Sequence, residues 1–224
     1  LSSIDADTDN LKAIFITHEH IDHIAGLRVF AKKHKLPVYA TKGTCEEIYR
    51  KGFNNGDYEL REMSYEGVYV DDIFIKPFKI SHDASEPVGY TITFEDDRKL
   101  AVATDTGIIT EEMKNALLGV ETILLESNYD VSMLKSGPYP YNLVLRILGE
   151  RGHLSNEVSS SFSSELLENG CQRFILGHLS QQNNLPQIAF LETKNTLENL
   201  GATENSDFIL KVAKPEWDEK AMVF

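Results

Sequence analysis

Residues Thr17-His18-Glu19-His20-Ile21-Asp22-His23 hold three imidazoles and the Asp22 carboxylate within six positions. Nitrogen and oxygen donors at this density suit borderline divalent ions, with zinc the leading candidate. In an extended segment His18 and His20 project to one side, while Asp22 and His23 face a second position nearby. That layout fits two metals. The competing reading is a loop of solvated histidines. Glu19 lies inside the motif but points away, as a solvated or supporting residue.

Such a motif needs rigid elements on both flanks. Residues 11–16 are apolar and β-prone and predict a buried strand. After the motif, Ile24, Leu27, Val29 and Phe30 recur at helical spacing, with Gly26 as a weak spot. The motif therefore sits on a strand-to-helix turn. Three more ligand-type residues share that kind of setting. His82 follows the run 74–80, Asp105 follows 100–104 and precedes Thr106-Gly107, and His178 follows 174–177. Each should emerge where a strand ends and loops gather. Singly, each reads as well as a structural residue; jointly with the motif they complete a two-metal ligand set. His34, beside Lys32, Lys33 and Lys35, is expected to be solvated.

A chain of 224 residues, 42% hydrophobic and 25% charged, is large enough for one well-cored domain, taken as 1–224. No apolar run reaches the roughly 18 residues that a membrane span requires, and no signal peptide is visible. Cys45 and Cys171 belong to no CxxC pair, so a reduced, cytoplasmic setting is the simplest expectation, with one disulfide left open. The chain starts at Leu1, and a missing native N-terminus is expected. Its formal charge of −13 argues against a general nucleic-acid coat. It leaves room for a nucleic-acid enzyme, because bound metals and a few arginines can reverse the field locally.

The remaining pattern alternates short strands with helices. Helices are expected over 42–51, from the Thr110 N-cap, over 141–150, from the Ser155 N-cap to Gly170, and over 186–200. Strands are expected within 68–80, as a hairpin of 89–94 and 100–104, and at 122–125, 173–176 and 208–212. No repeat is present, and the mixture predicts a layered α/β sandwich.

The series HxHxDH, strand-end His82, strand-end Asp105 and strand-end His178 resembles the metallo-β-lactamase fold, an αβ/βα four-layer sandwich. By that resemblance His18, His20 and His82 hold one metal, Asp22, His23 and His178 the other, and Asp105 bridges them. The opening strands of the family are not found before Leu1, so the sheet is expected to lack its first N-terminal strands. Arg151-Gly152-His153-Leu154-Ser155-Asn156-Glu157 resembles the histidine loop of the phosphodiesterase branch. There His153 would serve the phosphoryl oxygen or the leaving group; alternatively it simply precedes a helix cap.

Glu126-Ser127-Asn128-Tyr129-Asp130, Gly137-Pro138-Tyr139-Pro140, Arg146-Ile147-Leu148, Gly177-His178-Leu179-Ser180 and Asn183-Asn184-x-Pro186 resemble the YycJ-like (WalJ-type) hydrolases. Gln182 departs from the acidic residue expected there. The resemblance implies a metal-dependent phosphodiester hydrolase, a 5′-to-3′ DNA exonuclease. It would use two divalent ions, zinc or manganese, that share a hydroxide. Asp22 would orient the nucleophile. Ser155, Asn156, Ser180, Asn183 and Asn184 are candidate contacts to a nucleic-acid substrate, and Arg146, Arg151 and Lys135 candidate local positive charges. Rival readings are a glyoxalase-like thioester hydrolase, an RNA or cyclic-nucleotide phosphodiesterase, and a metal-binding interaction protein without turnover.

Overall fold

The computed structural model describes residues 7–213, whose contacts separate into two units. One comprises the described residues up to Ser64 with Ala84–Pro87; the other comprises Tyr65–Asp83 and Val88–Ala213.

In the first unit, β1 (Ile14–Phe15), β2 (Val38–Ala40) and β3 (Leu60–Glu62) form a parallel sheet in that order. Ile14 lies opposite Val38, and Val38 opposite Leu60. Helix α1 (Ile21–Ile24) is separated from α2 (Leu27–His34) at the weak spot Gly26, and α3 (Lys42–Arg50) follows β2. Leu27 and Ala31 of α2, and Cys45 and Ile48 of α3, bury against Ile16, Ile24, Val38 and Ala40. Each large apolar side chain so buried contributes about 1.5–3 kcal/mol. β2 is buried at every position, as a parallel strand covered on both faces should be. His34 departs from expectation: it is half-buried, its ring 4.6 Å from that of Phe30.

The second unit carries a seven-stranded sheet in the order β10-β9-β8-β7-β6-β5-β4. The strands are β4 (Val68–Val70), β5 (Ile73–Lys79), β6 (Val88–Thr93), β7 (Lys99–Ala103), β8 (Thr122–Glu126), β9 (Arg173–Gly177) and β10 (Ile209–Val212). Its helices are α4 (Glu111–Ala116), α5 (Val131–Ser136), α6 (Tyr141–Leu148), α7 (Asn156–Glu168) and α8 (Pro186–Asn199). Thr110 caps α4 by accepting from the Met113 N–H at 3.1 Å, and Ser155 caps α7 through the Val158 N–H at 3.2 Å. α6 ends at Leu148, two residues short of the expected end, with Gly149 as its C-cap. Phe78, Ala101, Ile123, Phe174 and Leu176 of the sheet pack with Met113, Phe162, Ala189 and Leu197 of the helices.

Strand direction is what matters for chemistry. β5 and β7 are each antiparallel to β6, and β8 and β9 run parallel to β7. The C-terminal ends of β5, β7, β8 and β9 therefore share one sheet edge, the usual place for ligands in open α/β sheets.

Candidate active site

Four residues gather at that edge of the second unit. Asp105 follows β7, Glu126 ends β8, His178 follows β9 and His153 precedes α7. Each offers an atom within 4.8 Å of the others'. Glu126 organises them. Its Oε1 accepts from His153 Nδ1 at 2.8 Å and His178 Nδ1 at 2.7 Å. Its Oε2 accepts from the N–H groups of Thr106 at 3.0 Å and Leu154 at 3.1 Å. The carboxylate is fully buried, which disfavours its charge. The hydrogen bonds from His153 and His178 outweigh that penalty and hold it below the usual carboxylate range.

The consequence falls on the imidazoles. A proton held on Nδ1 of each ring leaves Nε2 as the nitrogen that can meet a metal or carry a second proton, the arrangement found behind metal-ligating histidines. His82 reaches the same state by another route: its Nδ1 donates to the Gly152 carbonyl at 3.1 Å. Burial pushes the His82 imidazole below its ordinary value, favouring the neutral form that a metal needs. Its ring centroid lies 5.0 Å from that of His153, which lies 5.2 Å from that of His178. His178 Nε2 is 3.4 Å and His82 Nε2 3.8 Å from the Asp105 carboxylate.

Backbone strain accompanies this convergence. Asp105 (φ +62°) and His178 (φ +55°) both adopt the left-handed conformation, which costs about 1–2 kcal/mol for a residue with a Cβ. Gly152 has a different constraint. A Cβ there would collide with the carbonyls of Ile147 and Arg146, so only glycine lets its carbonyl reach His82.

In the first unit, the motif residues cluster among themselves. His18 is buried, and its ring centroid is 4.6 Å from that of His20 and 4.2 Å from that of His23. The Thr17 hydroxyl sits 3.1 Å from His18 Nδ1 and 3.4 Å from His23 Nδ1. Asp22 is exposed, one carboxylate oxygen 3.6 Å from His23 Nε2. Glu19 is not solvated. It is buried, accepting from the Ser85 N–H at 2.8 Å and, at 3.4 Å, from the Thr44 hydroxyl.

A cavity of about 360 Å³ opens beside the second unit's histidines, lined by His82, His153, His178, Tyr139, Arg146, Arg151, Ser180 and Gln182 among others. Arg146 Nε donates to Asp83 at 2.5 Å, and Arg151 Nε to the His82 carbonyl at 3.0 Å. Ser180 lines this space. Ser155, Asn156 and Asn183 are buried instead. Ser155 caps α7, and Asn156 exchanges hydrogen bonds with Ser127 at 2.7 Å and Asn184 at 2.9 Å. Asn128 donates to the His178 carbonyl at 2.7 Å, and Asn184 to the Ser127 carbonyl at 2.8 Å. Lys135 lies exposed on α5 and does not line the cavity.

Sequence reasoning missed the role of Glu126. The available signal was a carboxylate at the last position of an apolar strand, in register with strands that end in a ligand.

A sheet edge bearing aligned imidazoles and carboxylates is the mark of a metallo-hydrolase, and residues 2–166 match the β-lactamase superfamily domain. The chain belongs to that superfamily and is a hydrolase of it. Within it, the chain is 34% identical over 213 residues to exodeoxyribonuclease YycJ of Bacillus anthracis, covering 95% of this chain and 80% of the relative. It is also 34% identical over 220 residues to exodeoxyribonuclease WalJ of Streptococcus pneumoniae, covering 96% and 81%. It therefore falls in the YycJ/WalJ branch. Among solved structures, the metallo-β-lactamase-fold protein YhfI of Bacillus subtilis has a TM-score of 0.69 at 15% identity, covering 94% of this chain and 78% of that one. A diphosphatase of the PhnP family has a TM-score of 0.61 at 16% identity, covering 91% and 68%. These likenesses establish the metallo-β-lactamase fold. No helix among the described residues is long and apolar enough to cross a membrane.

Proposed function

We propose that this protein is a metal-dependent nuclease, a 5′-to-3′ DNA exonuclease that holds two divalent ions, zinc or manganese. The ligand set is His18, His20 and His82 for one ion, Asp22, His23 and His178 for the other, and Asp105 between them. The names of the YycJ and WalJ relatives support the substrate class. The observation that carries the reading is the shared grip of Glu126 on His153 and His178. One of these is a ligand; the other is a spare imidazole in the same cavity, aimed by the same carboxylate. The donor set, neutral imidazoles with a carboxylate, fits zinc or manganese.

When bound, the ions supply Lewis acidity toward a phosphoryl oxygen and an acidified water. The chain's own residues do the rest. Asp22 orients the attacking water. His153, protonated at Nε2 and stabilised as an imidazolium by Glu126, donates that proton to the departing oxygen as the P–O bond breaks. Arg146 and Arg151 offset phosphate charge at the cavity wall, and Ser180 donates to the backbone. Substrate contacts thus narrow to Ser180, with Ser155, Asn156 and Asn183 in supporting positions.

The test pairs metal analysis with digestion of 5′-labelled and 3′-labelled duplexes. His153→Ala should keep its metal while DNA cleavage slows about 10²–10⁴-fold. A thioester hydrolase would be indifferent to that change. Metal-loaded protein that cleaves no phosphodiester would leave the thioester-hydrolase and interaction-protein readings, which a thioester substrate then separates.

A further inference from the structure

Away from the histidines, the second unit holds a larger cleft of about 660 Å³ on strands β5–β7 and helix α4. Lys76, Lys79 and Lys99 line it, together with Tyr65 and Phe74. Glu112 is the sole carboxylate among its lining residues. In a chain of formal charge −13, random placement would surround such lysines with acids. Yet none of the three forms an ion pair with any described residue, whereas Lys32, Lys114 and Lys194 all do. Lys79 instead stands over the Tyr65 ring, 5.3 Å from its centroid. Phe74 packs at 4.8 Å against Tyr69, whose side chain is exposed.

The register sets out these groups in a line. Phe74 pairs with Thr93, and Thr93 with Lys99, so Lys99 is level with Phe74. Lys79 lies five residues further along β5, roughly 17 Å at strand rise. The three lysines thus stand at successive levels along the strands, the last of them three residues before His82.

We propose that this cleft is a second nucleic-acid contact, which takes a single strand by its phosphates through Lys76, Lys79 and Lys99 and by its bases through the aromatic faces. Unneutralised lysines supply the sequence-independent attraction to phosphate. Half-exposed aromatic rings in the cleft, with the exposed Tyr69 packed on Phe74, supply stacking, which a duplex with paired bases cannot use. The inference rests on the nuclease reading for its choice of polyanion, but its test does not depend on cleavage.

The full, metal-loaded chain is titrated against a fluorescein-labelled phosphorothioate single strand, which resists hydrolysis, and anisotropy is followed. K76E/K99E should bind at least 10-fold more weakly. K76Q/K99Q should lower the slope of log K against log salt by about 1.4, at about 0.7 per lost phosphate contact. Hydrolysis of bis(p-nitrophenyl) phosphate, too small to reach the cleft, should match wild type in both variants, which also shows that they fold. Unchanged binding in both variants overturns the proposal, as does equal affinity for a duplex of the same length or equal displacement by poly-glutamate. Lysine-dependent binding by a protein that cleaves no DNA would keep this contact and remove the nuclease reading. Cleavage with lysine-independent binding would do the reverse.

Discussion

Replacing Glu126 by Gln removes one charge and converts one acceptor into a donor, in a place where four donors point inward. The two backbone N–H groups at 3.0 and 3.1 Å belong to Thr106 and Leu154 and cannot change character. The amide oxygen must therefore face them, and the new NH₂ must face the imidazoles at 2.7 and 2.8 Å. His153 and His178 then have to move their protons to Nε2 to accept from it. Four charge-assisted bonds become neutral ones of roughly half the strength, a loss of about 2–4 kcal/mol once exchange with water is counted. For a domain of this size that corresponds to a fall in melting temperature of roughly 5–15 °C. The shifted proton also occupies the nitrogen that a metal requires, so metal affinity should fall at least 10- to 100-fold. Chelator-treated protein melted by circular dichroism gives the first quantity, and calorimetric metal titration the second. Imidazole ¹⁵N shifts report the tautomer directly. An E126Q protein that melts within 1 °C of wild type and binds metal as tightly would refute this account of the histidines.

Three further outcomes follow from packing and burial. Gly152→Ala should cost about 1–3 kcal/mol in urea unfolding, because its Cβ meets the Ile147 and Arg146 carbonyls, which accept from the His153 and Gly149 N–H groups; a neutral result would show that the loop has room. Burial pushes the Cys171 thiol up to about 12 and the Cys45 thiol up to about 11. Both should resist disulfide-exchange reagents at pH 8 until the chain is unfolded, and rapid labelling of folded protein would contradict that. Because these folded values lie above the ordinary value near 9, the thiols' contribution is complete below pH 9. It should decline as pH climbs toward 11–12, visible as a falling denaturation midpoint.

Much of this was legible because the ligand types sit where sequence patterns change. His82, Asp105 and His178 each follow an apolar run, and the run predicts the strand whose end must carry them. Helices α4 and α7 announced themselves by their caps, and α3 by the glycine that follows it. What escaped has a physical reason in each case. Strands β2 and β3 have three residues each, too few for an alternation to be read. Helix α5 lies behind Asp130, which accepts from the Met133 N–H at 2.7 Å; the preceding Ser-Asn-Tyr reads as a turn. Glu19 read as either solvated or supporting, and only its partners 25 and 66 positions away settle it as supporting. No local pattern reports partners so remote. The burial of Asn156 and Asn183 was hidden for the same reason, while Ser155 already read as the helix cap it is.

The partners of Glu126 lie 20, 27, 28 and 52 positions from it along the chain. None of those contacts is available to a nascent segment, since each needs a separate loop closure before any reward arrives. Strands β7, β8 and β9 must already be side by side before one carboxylate can orient both rings. A full-length but unfolded polypeptide thus carries every reactive group yet lacks their proper arrangement, so a potentially destructive activity is born only with the finished architecture.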